Sequence, residues 1–205
     1  MEYDTFWDQF GKVLKEGLYE DFENREKIAD ITRAYSFKHE KLISLSTYVD
    51  EMAKKQNQIY YLAADTLKQA SSSPHLEGFR ARGIDVLLMT DPIDAFWMSQ
   101  MGAFKEKSFV SISRDKYDLS ELSDDRTEDQ PEGTDANAIS ALIKECLGDL
   151  VEDVKATSSL VESPVRLIAG DGGLDFNLER IMKAQNPEFE SSKKILEVNC
   201  NHELI

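Results

Sequence analysis

The sequence is poor in the residues that most often bind metals or form covalent intermediates: it has two cysteines and three histidines in 205 residues. Cys146 and Cys200 lie far apart, and neither belongs to a CxxC motif or has a histidine at ligand spacing. This pattern argues against a disulfide framework and a zinc site, and favours two reduced thiols in a cytoplasmic protein. The histidines are isolated from one another in the sequence; they are His39, His75 and His202.

Basic residues are also scarce, with 24 Lys and Arg against 39 Asp and Glu, which gives a formal net charge of −15. Such a charge repels phosphate backbones and anionic lipid surfaces, so we expect neither nucleic acid nor membrane as a partner. No apolar run approaches the ~20 residues that span a bilayer. The N-terminus carries no basic and apolar leader of the secretory kind.

Three helices without proline are predicted in the first quarter of the chain. An amphipathic helix over residues 3–16 ends at Gly17, which can adopt the left-handed conformation that closes helices. A second helix is predicted over residues 21–35, and Ser44 is placed to cap a third. Apolar side chains of the first helix recur at three- and four-residue steps and are expected to face the core: Phe6, Phe10, Val13 and Leu14, with Trp7 as a further candidate.

Apolar runs then alternate with helix-opening signals. Strands are predicted at residues 59–62, 84–89 and 109–112. Ser73-Pro74 and Asp91-Pro92 each combine a capping side chain with a proline that suits a first helical turn. We therefore predict an α/β fold (α+β overall), in which a helical segment is followed by a βαβαβ layer with parallel strands.

An acidic stretch over residues 118–135 is predicted to be an exposed linker. It separates a first domain, residues 1–117, from a small mixed α/β domain, residues 136–205. In this second domain we predict helices at 136–150 and 174–184, strands at 151–158, 165–169 and 195–198, and a turn at 170–173.

Neither of the two patterns that could carry catalysis is convincing. Asp91 and Asp94 could be a catalytic carboxylate pair, but their spacing is that of a reciprocal helix cap. The glycines at 170–173 lack the lysine and the Ser or Thr of a phosphate-binding loop. We therefore assign no catalytic, cofactor-binding or metal-binding residue in this chain.

Several ordered blocks resemble the heat-shock protein 90 family of stress-response chaperones, in its bacterial HtpG type. The blocks are Phe6-Trp7-Asp8-Gln9-Phe10-Gly11, Leu14-Lys15-Glu16-Gly17, Ser44-Leu45 with Tyr48-Val49, Ile59-Tyr60-Tyr61, Ser73-Pro74-His75-Leu76-Glu77, the run from Val86 to Asp94, Ser163-Pro164, and Ile195-Leu196-Glu197-Val198-Asn199 with His202. The resemblance covers the distal middle domain and a C-terminal domain without its dimerisation helices.

The resemblance implies an ATP-dependent chaperone that is a homodimeric ATPase at full length. The ATP-binding domain and the arginine that contacts the γ-phosphate would lie outside these residues, so no ATP is expected in this chain. The chain alone is expected to be monomeric or weakly associating. Partners would be unfolded or partly folded client proteins, with co-chaperones as further candidates.

The resemblance also indicates client-binding residues in two segments. The first segment contains Phe96, Trp97 and Ser99, and the second contains Leu174, Leu178, Ile181 and Met182. Phe96 and Trp97 are neighbours on a helix and point about 100° apart. One of these two aromatic side chains is therefore expected to pack inward and the other to be available to clients.

Two other functions stay open. A small α/β enzyme would bind a ligand at the carboxyl ends of the parallel strands, although no glycine-rich turn follows Leu62. A scaffold protein would dock a co-chaperone through the acidic linker.

Overall fold

The computed structural model describes residues 2–114, 117, 119, 122, 134–170 and 172–205, without the side chains of Glu2, Ser99 and Thr134. The chain forms two compact units. The first unit comprises Met1–Ser71 and Ile84–Ser111, and the second comprises Ser72–Gly83 and Ile112–Ile205. The mixed α/β class is confirmed. The predicted linker lies mostly outside the described residues, and the division at residues 117 and 135 stays a prediction.

The described helices and strands are numbered in chain order. The helices are α1 (Glu2–Glu20), α2 (Arg25–Ile31), α3 (Leu45–Asp50), α4 (Leu67–Ser71), α5 (Glu77–Ala81), α6 (Asp94–Met101), α7 (Thr134–Leu147) and α8 (Phe176–Gln185). The strands are β1 (Arg33–Ser36), β2 (Lys41–Ser44), β3 (Gln58–Ala63), β4 (Leu87–Met89), β5 (Ala103–Phe104), β6 (Lys107–Ser111), β7 (Asp153–Ala156), β8 (Val165–Ala169) and β9 (Lys194–Val198).

The first unit is built on a six-stranded sheet with the order β2-β1-β4-β3-β6-β5. Strand β3 runs parallel to both β4 and β6, with Tyr61 opposite Leu87 and Ile59 opposite Phe109. This pairing confirms the predicted parallel layer. Strand β1 was missed, because residues 33–35 were assigned to a helix over 21–35. That helix ends at Ile31, and the alternating burial of residues 33–36 is the pattern of a strand.

Helix α1 differs from its prediction in length and in orientation. It continues through Gly17, where a Cβ would lie 2.9 Å from Ile28 Cδ1, so the glycine serves close helix packing and not helix termination. Its buried face carries Trp7 and Leu18. The expectation that the face with Phe6, Phe10 and Val13 packs inward was wrong: these three side chains are 41%, 54% and 62% exposed.

Tyr48 is a polar residue in the core of the first unit, and its hydroxyl takes part in three hydrogen bonds. The hydroxyl of buried Tyr48 donates to the Asp85 carbonyl oxygen (2.9 Å) and accepts from the Tyr60 N–H and from Gln56 Nε2 (3.1 Å each). Burial raises the pKa of Tyr48, so this phenol stays protonated. It ties α3 to β3 and to the segment just before β4. The predicted cap of α3 is confirmed, since Ser44 Oγ accepts from the Thr47 N–H at 2.9 Å.

The second unit contains a three-stranded sheet with the order β7-β9-β8. Strand β8 has the predicted bounds, and β7 and β9 lie at the other predicted strands. Helix α7 contacts β7. The core here includes the buried residues Val151, Val154 and Val198, with Ile143 and Leu147 packed against them.

Residues 72–83 lie between β3 and β4 in sequence but belong to the second unit. Ser73 Oγ accepts from the His75 N–H (3.4 Å) and caps a 3₁₀ turn over Pro74–Leu76, which confirms the predicted capping signal. The Glu77 carboxylate accepts backbone N–H groups of Val161, Glu162 and Ser163 at 2.7, 2.8 and 3.1 Å, and the Ser163 hydroxyl. Burial favours the protonated acid, but these hydrogen bonds outweigh it and hold the pKa of Glu77 below its ordinary value.

Candidate functional site

Helix α6 carries the first predicted segment, and a buried carboxylate orients it. Asp94 has no exposed surface and accepts hydrogen bonds from Trp97 Nε1 (2.8 Å) and the Asp91 N–H (3.1 Å). It also pairs with Lys15 Nζ at 2.9 Å. A buried indole N–H needs an acceptor, and Asp94, three residues earlier on the same helix, supplies it.

This hydrogen bond decides which of the two neighbouring aromatic side chains is accessible. Trp97 is fully buried and packs edge-on against Phe109, with ring centroids 5.5 Å apart. Phe96 is only partly buried and meets the edge of Tyr19 at a centroid distance of 6.3 Å. We therefore leave Trp97 out of the candidate client-binding residues and keep Phe96. The side chain of Ser99 lies outside the described part of the structure.

The predicted reciprocal cap is formed only in half. Asp94 caps the Asp91 N–H as expected, but the Asp91 carboxylate pairs with Lys15 Nζ (2.9 Å) and Lys12 Nζ (3.4 Å). Burial alone lowers the pKa of Lys15, yet the two carboxylates outweigh it and raise that pKa, so the buried ammonium stays charged. The arrangement is that of a structural ion-pair cluster after β4, with Lys15 joining α1 to α6.

Helix α8 carries the second predicted segment and is fixed by polar contacts. It begins at Phe176, not at Leu174 as predicted, because Asp175 is the N-cap and accepts from the Asn177 N–H at 2.9 Å. Asp175 also accepts from Ser113 Oγ at 2.9 Å. Glu179 accepts from the Ser192 N–H at 2.8 Å and pairs with Lys194.

The apolar side chains of α8 keep part of their surface accessible. Leu178, Ile181 and Met182, which we call the α8 stripe, are neither fully buried nor fully exposed. Arg180 and Lys183 occupy the exposed polar face of the same helix. The structure therefore brings three of the four predicted residues of this segment onto one helix, with a polar face opposite.

The fourth residue, Leu174, lines a pocket of about 740 Å³ in the second unit. Ile168 and Ile195 line it from two neighbouring strands, and Arg114 and Lys155 are also lining residues. Glu197 lines it too, and its carboxylate pairs with Arg166 Nε at 2.5 Å. Gly170, Gly172, Gly173 and Leu174 form one side of it, and Gly172 has a positive φ of 76°. Sequence reasoning missed this pocket, since its residues come from four separated segments.

The described residues contain no cluster of three or more His, Cys, Asp or Glu side chains that could hold a metal ion. Cys146 and Cys200 are both unpaired thiols. Among the described helices, none is long and apolar enough to cross a bilayer.

These features define a mixed α/β protein with accessible apolar side chains on helices of both units. A family model described as Hsp90 protein matches residues 1–205. The chain therefore belongs to the Hsp90 family, and the resemblance seen in its sequence blocks is confirmed.

Within the Hsp90 family, the chain is similar to bacterial HtpG chaperones. The chain is 39% identical over 208 residues to the chaperone protein HtpG of Roseobacter denitrificans, covering 100% of this chain and 34% of the relative. It is 40% identical over 209 residues to that of Nitrosomonas europaea, covering 100% and 33%. It thus spans about a third of the length of these relatives. A middle domain of a heat shock protein from Plasmodium falciparum is 36% identical, with a TM-score of 0.49 over 52% of this chain and 46% of that one.

Proposed function

We propose that this polypeptide is part of an ATP-dependent, cytoplasmic chaperone. It would bind unfolded or partly folded client proteins through Phe96, Leu174 and the α8 stripe. The observation that carries the proposal is the partial burial of these apolar side chains on a chain of the Hsp90 family. Accessible apolar side chains are what an unfolded segment can cover.

The α8 stripe suits varied partners because one set of side chains holds the helix in place and another set would contact the client. Asp175 and Glu179 fix the backbone through hydrogen bonds, as described above. Leu and Met side chains above such a fixed backbone can repack against different sequences. Burying ~300 Å² of apolar surface contributes about 7 kcal/mol before ordering costs, which gives broad but weak binding.

The Leu174 pocket would receive a single apolar client side chain. Its volume of about 740 Å³ exceeds that of any one side chain, and Ile168 and Ile195 supply apolar contact. The α8 stripe and this pocket belong to the same unit. We propose that an extended client segment uses the pocket as an anchor and the stripe as a wider contact.

Nucleotide is proposed to act through parts of the full-length protein outside these residues. ATP would be bound and hydrolysed there, and dimerisation and co-chaperone binding belong to the same proposal. A thermal shift with ATP or turnover by the 205-residue chain alone would contradict it and favour a small α/β enzyme.

The test is suppression of client aggregation by variants of the 205-residue chain. Leu178→Ser combined with Met182→Ser, and Phe96→Ser separately, are expected to reduce suppression of aggregation of a chemically unfolded test protein at least threefold in light scattering. The control is Leu142→Ser on α7, a leucine that is 61% exposed and outside the candidate residues. Its activity should equal that of the unchanged chain.

Circular dichroism of each variant must match that of the unchanged chain. If the folded variants suppress aggregation as well as Leu142→Ser does, Phe96, Leu178 and Met182 do not bind clients.

A further inference from the structure

An exposed apolar stripe on α1 is not used by the proposed function. Tyr3, Phe6, Phe10 and Val13, which we call the α1 stripe, follow one another at steps of three and four residues and so share one helix face. The rings of Phe6 and Phe10 lie 5.3 Å apart, and those of Tyr3 and Phe6 lie 5.8 Å apart. Contiguous exposed apolar surface of this kind marks interaction sites.

Neighbouring residues close the α1 stripe at both of its ends. Gly17 lies on the same face one turn beyond Val13, and Ile28 of α2 packs closely against it. At the other end the Arg33 guanidinium lies 4.8 Å from the centre of the Tyr3 ring, and the Tyr3 hydroxyl donates to the Ile31 carbonyl oxygen. The open part of the stripe is therefore about three helical turns long, which matches the contact length of a partner helix.

One border of the α1 stripe is acidic. At 100° per residue, Glu16 and Glu20 lie along the side of Val13 beside the uncharged Gln9, and all three side chains are exposed. The lysines of α1 do not neutralise this border, because Lys12 and Lys15 both pair with Asp91, at 3.4 and 2.9 Å.

We propose that the α1 stripe docks an amphipathic helix of a partner protein whose apolar face is bordered by lysine or arginine. The phenyl rings would fill the apolar face, and Glu16 and Glu20 would meet the basic border. A second copy of this chain fits poorly, since it brings an equally acidic border and a net charge of −15. This site lies on a different unit from the α8 stripe and does not depend on it.

Two designed helices of about 18 residues test the proposal. They share a leucine face and differ only in a lysine or a glutamate border. Fluorescence anisotropy at low salt should show at least tenfold tighter binding of the lysine-bordered peptide to the 205-residue chain. Equal affinity of the two peptides would overturn the proposal.

Variants locate the binding and test its charge dependence. Phe10→Ser should lower the affinity of the chain for the lysine-bordered peptide at least tenfold. Leu142→Ser and the double variant of the α8 stripe should leave this affinity unchanged. Glu16→Lys combined with Glu20→Lys should reverse the preference between the peptides, and an unchanged preference contradicts the proposal. If light scattering instead shows a dimer that Phe10→Ser dissociates, a second copy is the occupant and the proposal fails.

Discussion

His75 is a buried, uncharged imidazole in the second unit. It is 8% exposed, its ring lies 6.3 Å from that of Phe176, and its Nδ1 has no hydrogen-bond partner among the described residues. Burial and the neighbouring charge of Arg166 lower the pKa of His75 to about 3. Protonation of this side chain therefore opposes folding throughout the mildly acidic range.

The pH dependence of stability should show this effect. An unfolded histidine binds a proton below about pH 6.5, whereas folded His75 does so only near pH 3, so the unfolded state gains protons as the pH falls. We expect the free energy of unfolding to drop by about 1.4 kcal/mol per pH unit below 6.5. Urea titrations from pH 7 to 5 measure it.

His75→Gln is the matched variant for that measurement. It is expected to be less stable at pH 7 but to lose much less stability between pH 7 and pH 5 than the unchanged chain. If both chains lose the same amount, another group causes the acid sensitivity.

Phe96 and Trp97 show what could be predicted at the level of single residues. The sequence indicates that two adjacent aromatic side chains on a helix cannot both face the core. It does not indicate which one does, because that depends on hydrogen bonding in the folded state. The deciding contact, Trp97 Nε1 to Asp94, is visible in the sequence only as an acid three residues before an indole.

At the scale of helices and strands, Lys15 fixes α1 against α6. It is 5% exposed and pairs with Asp94, which is fully buried, and with Asp91. Removing one partner of a buried ion pair leaves the other charge without compensation, which costs more than the pair contributes.

We expect Lys15→Met to lower the free energy of unfolding by about 3–5 kcal/mol. Lys12→Met is the matched control: its side chain is 78% exposed, so we expect a change below about 1 kcal/mol. Urea unfolding followed by circular dichroism gives both values. The double variant Lys15→Met with Asp94→Asn should recover part of the loss, since the uncompensated charge is then absent. Equal effects of the two lysine variants would argue against a structural role for Lys15.

Helices and strands were predicted best where residues close together in the sequence determine them. Strands β3 and β8 and the caps at Ser44 and Ser73 follow from alternation, apolar runs and capping side chains within a few residues. The outward orientation of α1 could not be predicted, because an amphipathic pattern shows that a helix has an apolar face but not which neighbours cover it. The Leu174 pocket depends on β7, β8, β9 and Arg114 meeting in space, and no local pattern encodes that.

For the molecule as a whole, the net charge of −15 should govern the rate of partner binding. Charge attraction speeds association with cationic unfolded proteins, and salt weakens it as the screening length falls from about 30 Å at ~0.01 M to about 8 Å at ~0.15 M. We expect stopped-flow association rates with a basic unfolded protein to fall at least tenfold over that range. Rates with an acidic unfolded protein should stay level or rise. Identical salt dependence for both would mean that apolar contact alone controls the encounter.

The placement of residues 72–83 in the second unit affects how the chain acquires its structure during synthesis. Glu77 leaves the ribosome long before the loop at Val161–Ser163 that binds it. At roughly 5–20 residues per second, this wait lasts on the order of several seconds. If the first sheet forms during this wait, residues 72–83 stay an unpaired loop between β3 and β4 until the rest of the second unit has been synthesised.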